Sequence, residues 1–133
     1  MGSDLIVTRP VLAALTAAAA RAVPNDACGL LLGVDRMIDE ARVCANVASA
    51  PRRFFEIDPV ALIAAHRAQR CGGAALLGYF HSHPSGSAQP SDEDRRQAGG
   101  DGKVWAIVGG NDVQFWRDTP QGFVALSYTV ADG

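Results

Sequence analysis

The apolar run Ala74-Ala75-Leu76-Leu77-Gly78-Tyr79 leads straight into Phe80-His81-Ser82-His83, and Pro84 then turns the chain. A short apolar run of this kind reads as a buried strand. Residues two apart on a strand point to the same face, so His81 and His83 leave the strand end side by side. The chain is thereby committed to a fold in which an interior strand opens at its end onto a polar pocket.

The segments around this strand fill in the rest. Leu5 to Thr8 is short and β-prone. Pro10 suits a first helical turn, and the Ala- and Leu-rich stretch Val11 to Val23 is strongly helical. Pro24-Asn25 breaks that helix. Cys28 to Gly33 predicts a second buried strand, Met37 to Val47 a partly exposed one, and Phe54 to Ile57 a short one. Asp58-Pro59 is a cap followed by proline at the first helical position, which predicts a helix from Pro59 to Gln69. Pro84 to Pro90 is rich in Ser, Gly and Pro, hence a loop. Ser91 to Ala98 reads as a short helix and Lys103 to Gly109 as a strand. Asn111-Asp112 suits a hairpin turn, after which Val113 to Arg117 and Phe123 to Val130 complete the sheet. Several strand-to-strand connections are too short for a helical crossover. The expected fold class is therefore mixed α+β, with a mixed curved sheet flanked by helices.

A length of 133 residues fits one domain, 1–133, and can bury a core without disulfide staples. Hydrophobic content of 48% and charged content of 20% are those of a soluble globular chain. A net charge of −2 argues against nucleic acid as a partner. No apolar stretch reaches the roughly 18 residues needed to span a membrane. Val11 to Val23 is too short for that, carries Arg21, and lacks a signal peptide's basic start and cleavage pattern. Cys28, Cys44 and Cys71 make an odd count without a CxxC pair, as expected of reduced thiols in a cytoplasmic protein. Met1-Gly2-Ser3 reads as an expression scar.

The chemistry concentrates between His81 and Asp94. Two imidazoles at a strand end and a carboxylate in the first turn of the next helix, with a fourth position open to water, form a catalytic zinc pattern. Each part has a plainer reading too. An HxH pair can exist without metal, and Ser91-Asp92-Glu93-Asp94 is also a capping box. Cys28 reads as a core residue, and His66 and Arg95-Arg96 as solvated surface.

Together, His81-Ser82-His83-Pro84 and Pro90-Ser91-Asp92-Glu93-Asp94 resemble the JAMM (MPN+) metalloprotease motif, His-x-His-Pro, a loop, then Ser-x-x-Asp. Pro24 to Gly33, Phe55-Glu56-Ile57-Asp58-Pro59 and Lys103 to Val108 are similar to further segments of that family, so the resemblance runs from about Ile6 to Val130. The compact length is similar to the stand-alone prokaryotic branch. The resemblance implies a JAMM/MPN fold, akin to that of the cytidine deaminases. It also implies one Zn²⁺ per chain held by His81, His83 and Asp94, with Ser91 donating to the oxyanion. The family's general base, normally Glu, falls on Asp26. Asp is shorter by one methylene, about 1.5 Å of reach, and a misplacement of about 1 Å can cost on the order of 10²-fold in rate. Glu56 and Glu93 are the alternative carboxylates, with Asp26 favoured.

The function implied is that of a zinc metallopeptidase or isopeptidase. It would cut an amide bond at the C-terminal tail of a ubiquitin-like or sulfur-carrier protein ending in Gly-Gly. Branch members of this size include enzymes that free cysteine from a sulfur-carrier adduct. The alternative is a zinc-containing binding module for the same partner, with hydrolysis lost through Asp26. A deaminase-like reaction is the weakest reading, because the signature H-x-E…P-C-x-x-C is absent. The chain is expected to act as a monomer or homodimer.

Overall fold

The computed structural model describes residues 3–133; Met1 and Gly2 of the expected scar lie outside the described residues. Eleven elements follow in chain order. They are β1 (Leu5–Thr8), α1 (Arg9–Ala22), β2 (Cys28–Val34), β3 (Met37–Cys44), α2 (Pro59–Arg70), β4 (Ala75–His83), α3 (Asp92–Gln97), β5 (Val104–Gly109), β6 (Asp112–Thr119), β7 (Gly122–Leu126) and β8 (Tyr128–Ala131). All eight strands join one sheet in the order β7-β6-β5-β4-β2-β3-β1-β8. The pairs β1·β3, β1·β8 and β4·β5 are parallel and the others antiparallel, as the mixture of short and long connections predicts.

The sheet is rolled. β7 and β8 occupy opposite ends of the strand order, yet only Ser127 separates them in sequence. Laid flat, eight strands would hold their edges about 34 Å apart, at about 4.8 Å per strand. One residue cannot cross that gap, so the sheet curls until its edges meet. The joining residue Ser127 is held against the start of β1: its carbonyl accepts from Leu5 N at 3.1 Å and its N–H donates to Asp4 Oδ2 at 2.9 Å. This corrects the single strand expected over Phe123 to Val130, because hydrophobic pattern alone does not show where a run changes partner. Two smaller corrections concern Met37 to Val47, whose strand stops at Cys44, and Phe54 to Ile57, which makes only an isolated bridge between Ile57 and Asn46.

Helices cover both faces. α1 packs Val11, Leu15 and Ala18 onto Val7, Leu31, Ile38, Phe80, Ala106 and Phe115. α2 covers the other face, where Ala65 joins Cys28, Leu30, Leu32, Phe55, Ile57, Leu76 and Trp105. Asp58 caps α2 by accepting from Val60 N, with Pro59 at the first position. The two faces meet different needs: the α1 side is mainly apolar packing, whereas the α2 side carries the site. No helix among the described residues is long and apolar enough to cross a membrane.

Leu15 is fully buried at the centre of the α1 face. Leu15→Ala is expected to cost about 3 kcal/mol, the usual range for such a cavity being about 2–5. Urea denaturation checks this, with the midpoint falling and the slope unchanged.

Candidate active site

β2 and β4 place the site through their register. Cys28 lies opposite His81 in an antiparallel pair, so the same register sets Asp26 across from His83. Directly opposed residues share a face, and that face is the one α2 covers. The pairing continues past β2: Ser82 N donates to Ala27 O at 3.1 Å, and Ala27 N donates to Ser82 Oγ at 2.8 Å. Cys28 is a buried core residue, as its sequence context implies.

The expected ligand atoms converge. His81 Nε2 lies 3.1 Å from His83 Nε2, and Asp94 Oδ2 lies 3.1 Å from both. A tetrahedral zinc with ligands at about 2.0 Å separates its ligand atoms by about 3.3 Å, so the triangle is the right size. Its proton inventory fits as well. His83 Nδ1 lies 2.7 Å from Ser87 O. A carbonyl can only accept, so Nδ1 carries the proton and the Nε2 of a neutral His83 is a bare lone pair. That lone pair faces a carboxylate oxygen at 3.1 Å. Two acceptors at that distance need a shared proton or a cation between them. The donor set is therefore one that a zinc ion would satisfy, with Ser87 O fixing the His83 tautomer from behind. His81 lacks such support, since its Nδ1 is buried with no hydrogen-bond partner.

The walls around the triangle are apolar. Phe55 stacks on His81 with ring centroids 4.3 Å apart, and Trp105 meets the same imidazole edge-on at 5.6 Å. Burial lowers the His81 pKa against the opposing pull of Asp94. Burial also works against a charge on His83, but the Asp94 hydrogen bond and charge, Ser87 O and Asp26 outweigh it and raise its pKa. Asp94 is buried too, yet its hydrogen bonds to His81 and His83 hold its carboxyl well below the usual range.

Asp26 behaves differently from Asp94. Burial pushes its pKa up to about 6; nearby His83 opposes that rise and Asp94 adds to it. Asp26 thus holds a proton close to neutral pH, which suits a group that must take up and give back a proton. It lines a cleft of 280 Å³ together with His83 and Ser91. Ser91 Oγ accepts from Asp94 N at 3.0 Å, and Ser91 N donates to Asp94 Oδ2 at 2.9 Å. The capping box and the carboxylate triangle therefore share Asp94, and the Ser91 hydroxyl keeps its own hydrogen free to donate into the cleft. The alternative carboxylates stand elsewhere. Glu93 is tied to Arg96 and Gln97 on the outer face of α3, and Glu56 is exposed. His66, Arg95 and Arg96 are exposed, as expected.

Four supporting groups escape a reading of the sequence. Asn46 donates to Asp26 O at 3.0 Å and to Phe54 O at 3.2 Å, and accepts from Ala48 N and Glu56 N. It thereby fixes both the approach to Asp26 and the segment bearing Phe55. An asparagine in a loop is the local signal for such bonding, though not for its targets. Trp105 and Ser87 are placed only by tertiary packing. Gly109 lets the 84–90 loop lie against β5, because a Cβ there would collide with the Ser87 backbone that orients His83.

Residues 8–119 match the family of prokaryotic homologs of the JAB domain. The chain belongs to that family. Among its relatives are a desampylase from Haloferax volcanii, 35% identical over 63% of this chain and 62% of the relative. Another is a probable TtuB-protein conjugate cleaving protease from Thermus thermophilus, 35% identical over 73% of this chain and 65% of the relative. The chain thus spans a little under two thirds of each. Solved structures agree on the fold. A Desulfitobacterium hafniense protein has TM-score 0.85 at 28% identity, covering 97% of this chain and 94% of that one. A JAB1/MPN domain protein from Archaeoglobus fulgidus has TM-score 0.63 at 25% identity, covering 96% of this chain and all (100%) of that one. The fold and family expected from the motif are those found.

A carboxyl whose pKa is raised on folding stabilises the folded state below its unfolded value, near pH 4, and loses that contribution as pH rises through 6. In metal-free protein, Asp26→Asn is therefore expected to raise the thermal midpoint more at pH 7.5 than at pH 4. Equal shifts at both pH values would show that Asp26 is not held against ionisation.

Proposed function

We propose that this JAB-domain protein is a zinc metallopeptidase that hydrolyses an amide bond at the C-terminal tail of a ubiquitin-like or sulfur-carrier protein. The observation that carries this reading is the convergence of His81 Nε2, His83 Nε2 and Asp94 Oδ2, each 3.1 Å from the others, beside a cleft that His83 lines with Asp26 and Ser91. His81, His83 and Asp94 would hold one zinc. Bound there, zinc would supply Lewis acidity to a carbonyl and bring the pKa of a water to about 7.

The remaining roles fall to the chain. Asp26 takes one proton from the attacking water as the water oxygen bonds to the carbonyl carbon. The C–N bond then breaks, and Asp26 passes that proton to the departing nitrogen. The second water proton leaves the new carboxyl group for the released amine, so the products are a carboxylate and an ammonium group and one water is consumed. The Ser91 hydroxyl donates to the carbonyl oxygen as negative charge develops there, an interaction worth about 2.7–4 kcal/mol in a comparable oxyanion site. Phe55 and Trp105 exclude water on the His81 side, which strengthens each of these interactions. An apolar groove of 280 Å³ lined by Phe55, Ile57, Leu62, Tyr79 and Trp105 opens beside His81 and suits an extended tail. The relatives named for removing or cleaving such conjugates support this substrate class. The free cysteines fit a cytoplasmic setting, and no feature of the mechanism needs more than a monomer, with a homodimer equally compatible.

Purified protein is expected to hold one zinc per chain by elemental analysis, lost in His81→Ala. It should cleave a reporter fused to a carrier protein through Gly-Gly, and a chelator should abolish this. Ser91→Ala should lower kcat by about 10²–10³, and Asp26→Ala by about 10²–10⁴. Tight carrier binding with no turnover would overturn the hydrolase reading in favour of a binding module.

A further inference from the structure

One side chain joins the candidate base to the apolar groove. Asn46 Nδ2 donates to Asp26 O at 3.0 Å and to Phe54 O at 3.2 Å, while its Oδ1 accepts from Ala48 N at 3.0 Å and Glu56 N at 3.1 Å. Carbonyls stand on one side of the amide and N–H groups on the other, so the partners themselves decide which way it points. An asparagine that only closed its own loop would need no partner outside residues 45–58. That loop is already closed by backbone bonds, from Val47 N to Glu56 O at 2.9 Å and from Asp58 N to Ala45 O at 3.3 Å. The bond to Asp26 O is additional to that closure.

Asp26 depends on the same loop for its placement. It precedes β2, which begins at Cys28. Its N–H donates to Pro51 O at 2.7 Å and its carbonyl accepts from Asn46, so the loop holds both of its peptide groups. Its carboxyl receives no hydrogen bond among the described residues, so the position of the carboxyl follows the backbone. A few residues on, the loop becomes a wall between two clefts. Arg52 and Arg53 line the cleft of Asp26, whereas Phe54 to Ile57 line the groove beside His81. Among the described residues, this wall has no strand pairing beyond the bridge between Ile57 and Asn46. A segment with so few backbone bonds is ordered by what packs on it.

A tail lying in the groove restrains Phe54 and Glu56. The Asn46 amide is planar and rigid, so fixing Phe54 O and Glu56 N also fixes the Nδ2 that holds Asp26 O. Contacts made several residues from the scissile bond are thereby passed to the base. A catalytic group misplaced by about 1 Å can lose on the order of 10²-fold in rate. Binding energy from the remote part of the tail is then spent on kcat as well as on KM.

We propose that Asn46 is a positioning residue that couples occupancy of the apolar groove to the placement of Asp26, so that a longer tail raises kcat. This rests on the hydrolase reading above and adds how the tail takes part in the chemistry. The test gives zinc-loaded protein two substrates on one reporter amine, acetyl-Gly-Gly and acetyl-Leu-Ala-Val-Gly-Gly. The longer one is expected to show a lower KM and a kcat at least tenfold higher, roughly the scale of one hydrogen bond. Asn46→Ser removes the reach to Asp26 O. Asn46→Asp replaces the donor by an acceptor and keeps an acceptor for Ala48 N and Glu56 N. In both variants the ratio of the two kcat values should fall to about one while the ratio of the KM values stays, and taking ratios cancels losses common to both substrates. Binding without turnover gives a second readout. The peptide Leu-Ala-Val-Gly-Gly should shift the backbone amide NMR signals of Phe54 to Ile57 and of Asp26, and in Asn46→Ser only those of Phe54 to Ile57. Equal kcat for the two substrates in the unaltered protein, a comparison that needs neither variant to fold, overturns the inference while the hydrolase reading stands. A kcat ratio or an Asp26 shift that survives the substitutions overturns it too. So does a KM ratio lost along with the kcat ratio, since Asn46 would then only shape the groove. If neither substrate is cleaved, the hydrolase reading falls and the positioning role of Asn46 with it.

Discussion

Antiparallel pairing of β2 with β4 governs how His81, His83 and Asp26 stand to one another. Cys28 opposes His81, and the same register carries Asp26 to His83. A slip of one residue would turn every side chain of the strand to the other face. His81 would then leave Phe55 and Trp105 for the α1 side, and Asp26 would face away from His83. The register is held by burial on both faces: Leu31 belongs to the α1 core, whereas Leu30 and Leu32 belong to the α2 core. The geometry of the candidate site is thereby inherited from the hydrophobic core. Ser82 adds a polar lock, accepting from Ala27 N one residue beyond Asp26.

The same burial that orders the site works against its charges. Asp26, His81 and Asp94 are all nearly inaccessible to water. A buried ionised group is tolerated where partners are supplied, and the three differ in that respect. Asp94 receives Ser91 N and two imidazoles, and stays ionised. The Asp26 carboxyl receives no hydrogen bond among the described residues and holds its proton up to about pH 6. Two aspartates in one site are given different proton affinities by their hydrogen-bond partners. The one rich in donors keeps a fixed negative charge, and the one left bare can exchange a proton.

The parts of this arrangement that depend on nearest neighbours were legible in the sequence. The strand ending in His81 and His83, the Ser91 capping box and the Asp58-Pro59 helix start each express a local period or cap, and each stands where its residues indicated. What depends on distant partners was not legible. The run ending at Val130 contains no Gly, Pro, Asn or Asp to mark a turn, but Ser127 divides it between opposite sheet edges, and only the rolled sheet shows this. Phe54 to Ile57 has the composition of a strand. Asn46 uses its side chain to occupy Phe54 O and Glu56 N, so a ladder does not form there. Ser87 acts through its carbonyl, which every residue possesses, so no residue type could announce it.

On the proposed mechanism, the shorter carboxylate at Asp26 is answered by the strand that bears it. Directly opposed residues on antiparallel strands bring their Cβ atoms to about 4.5–5.5 Å. A base in that position borders His83 without a long side chain to span the gap. The backbone around it is also restrained: Asp26 N is bonded to Pro51 O, and Asp26 O to Asn46. A glutamate there would add a rotatable bond that folding or catalysis would have to freeze, at a cost in side-chain entropy. An aspartate on a braced strand gives up reach and gains fixity. Since a proton transfer depends on hydrogen-bond geometry before it depends on pKa, that exchange keeps proton transfer feasible provided the bracing from Asn46 and Pro51 holds.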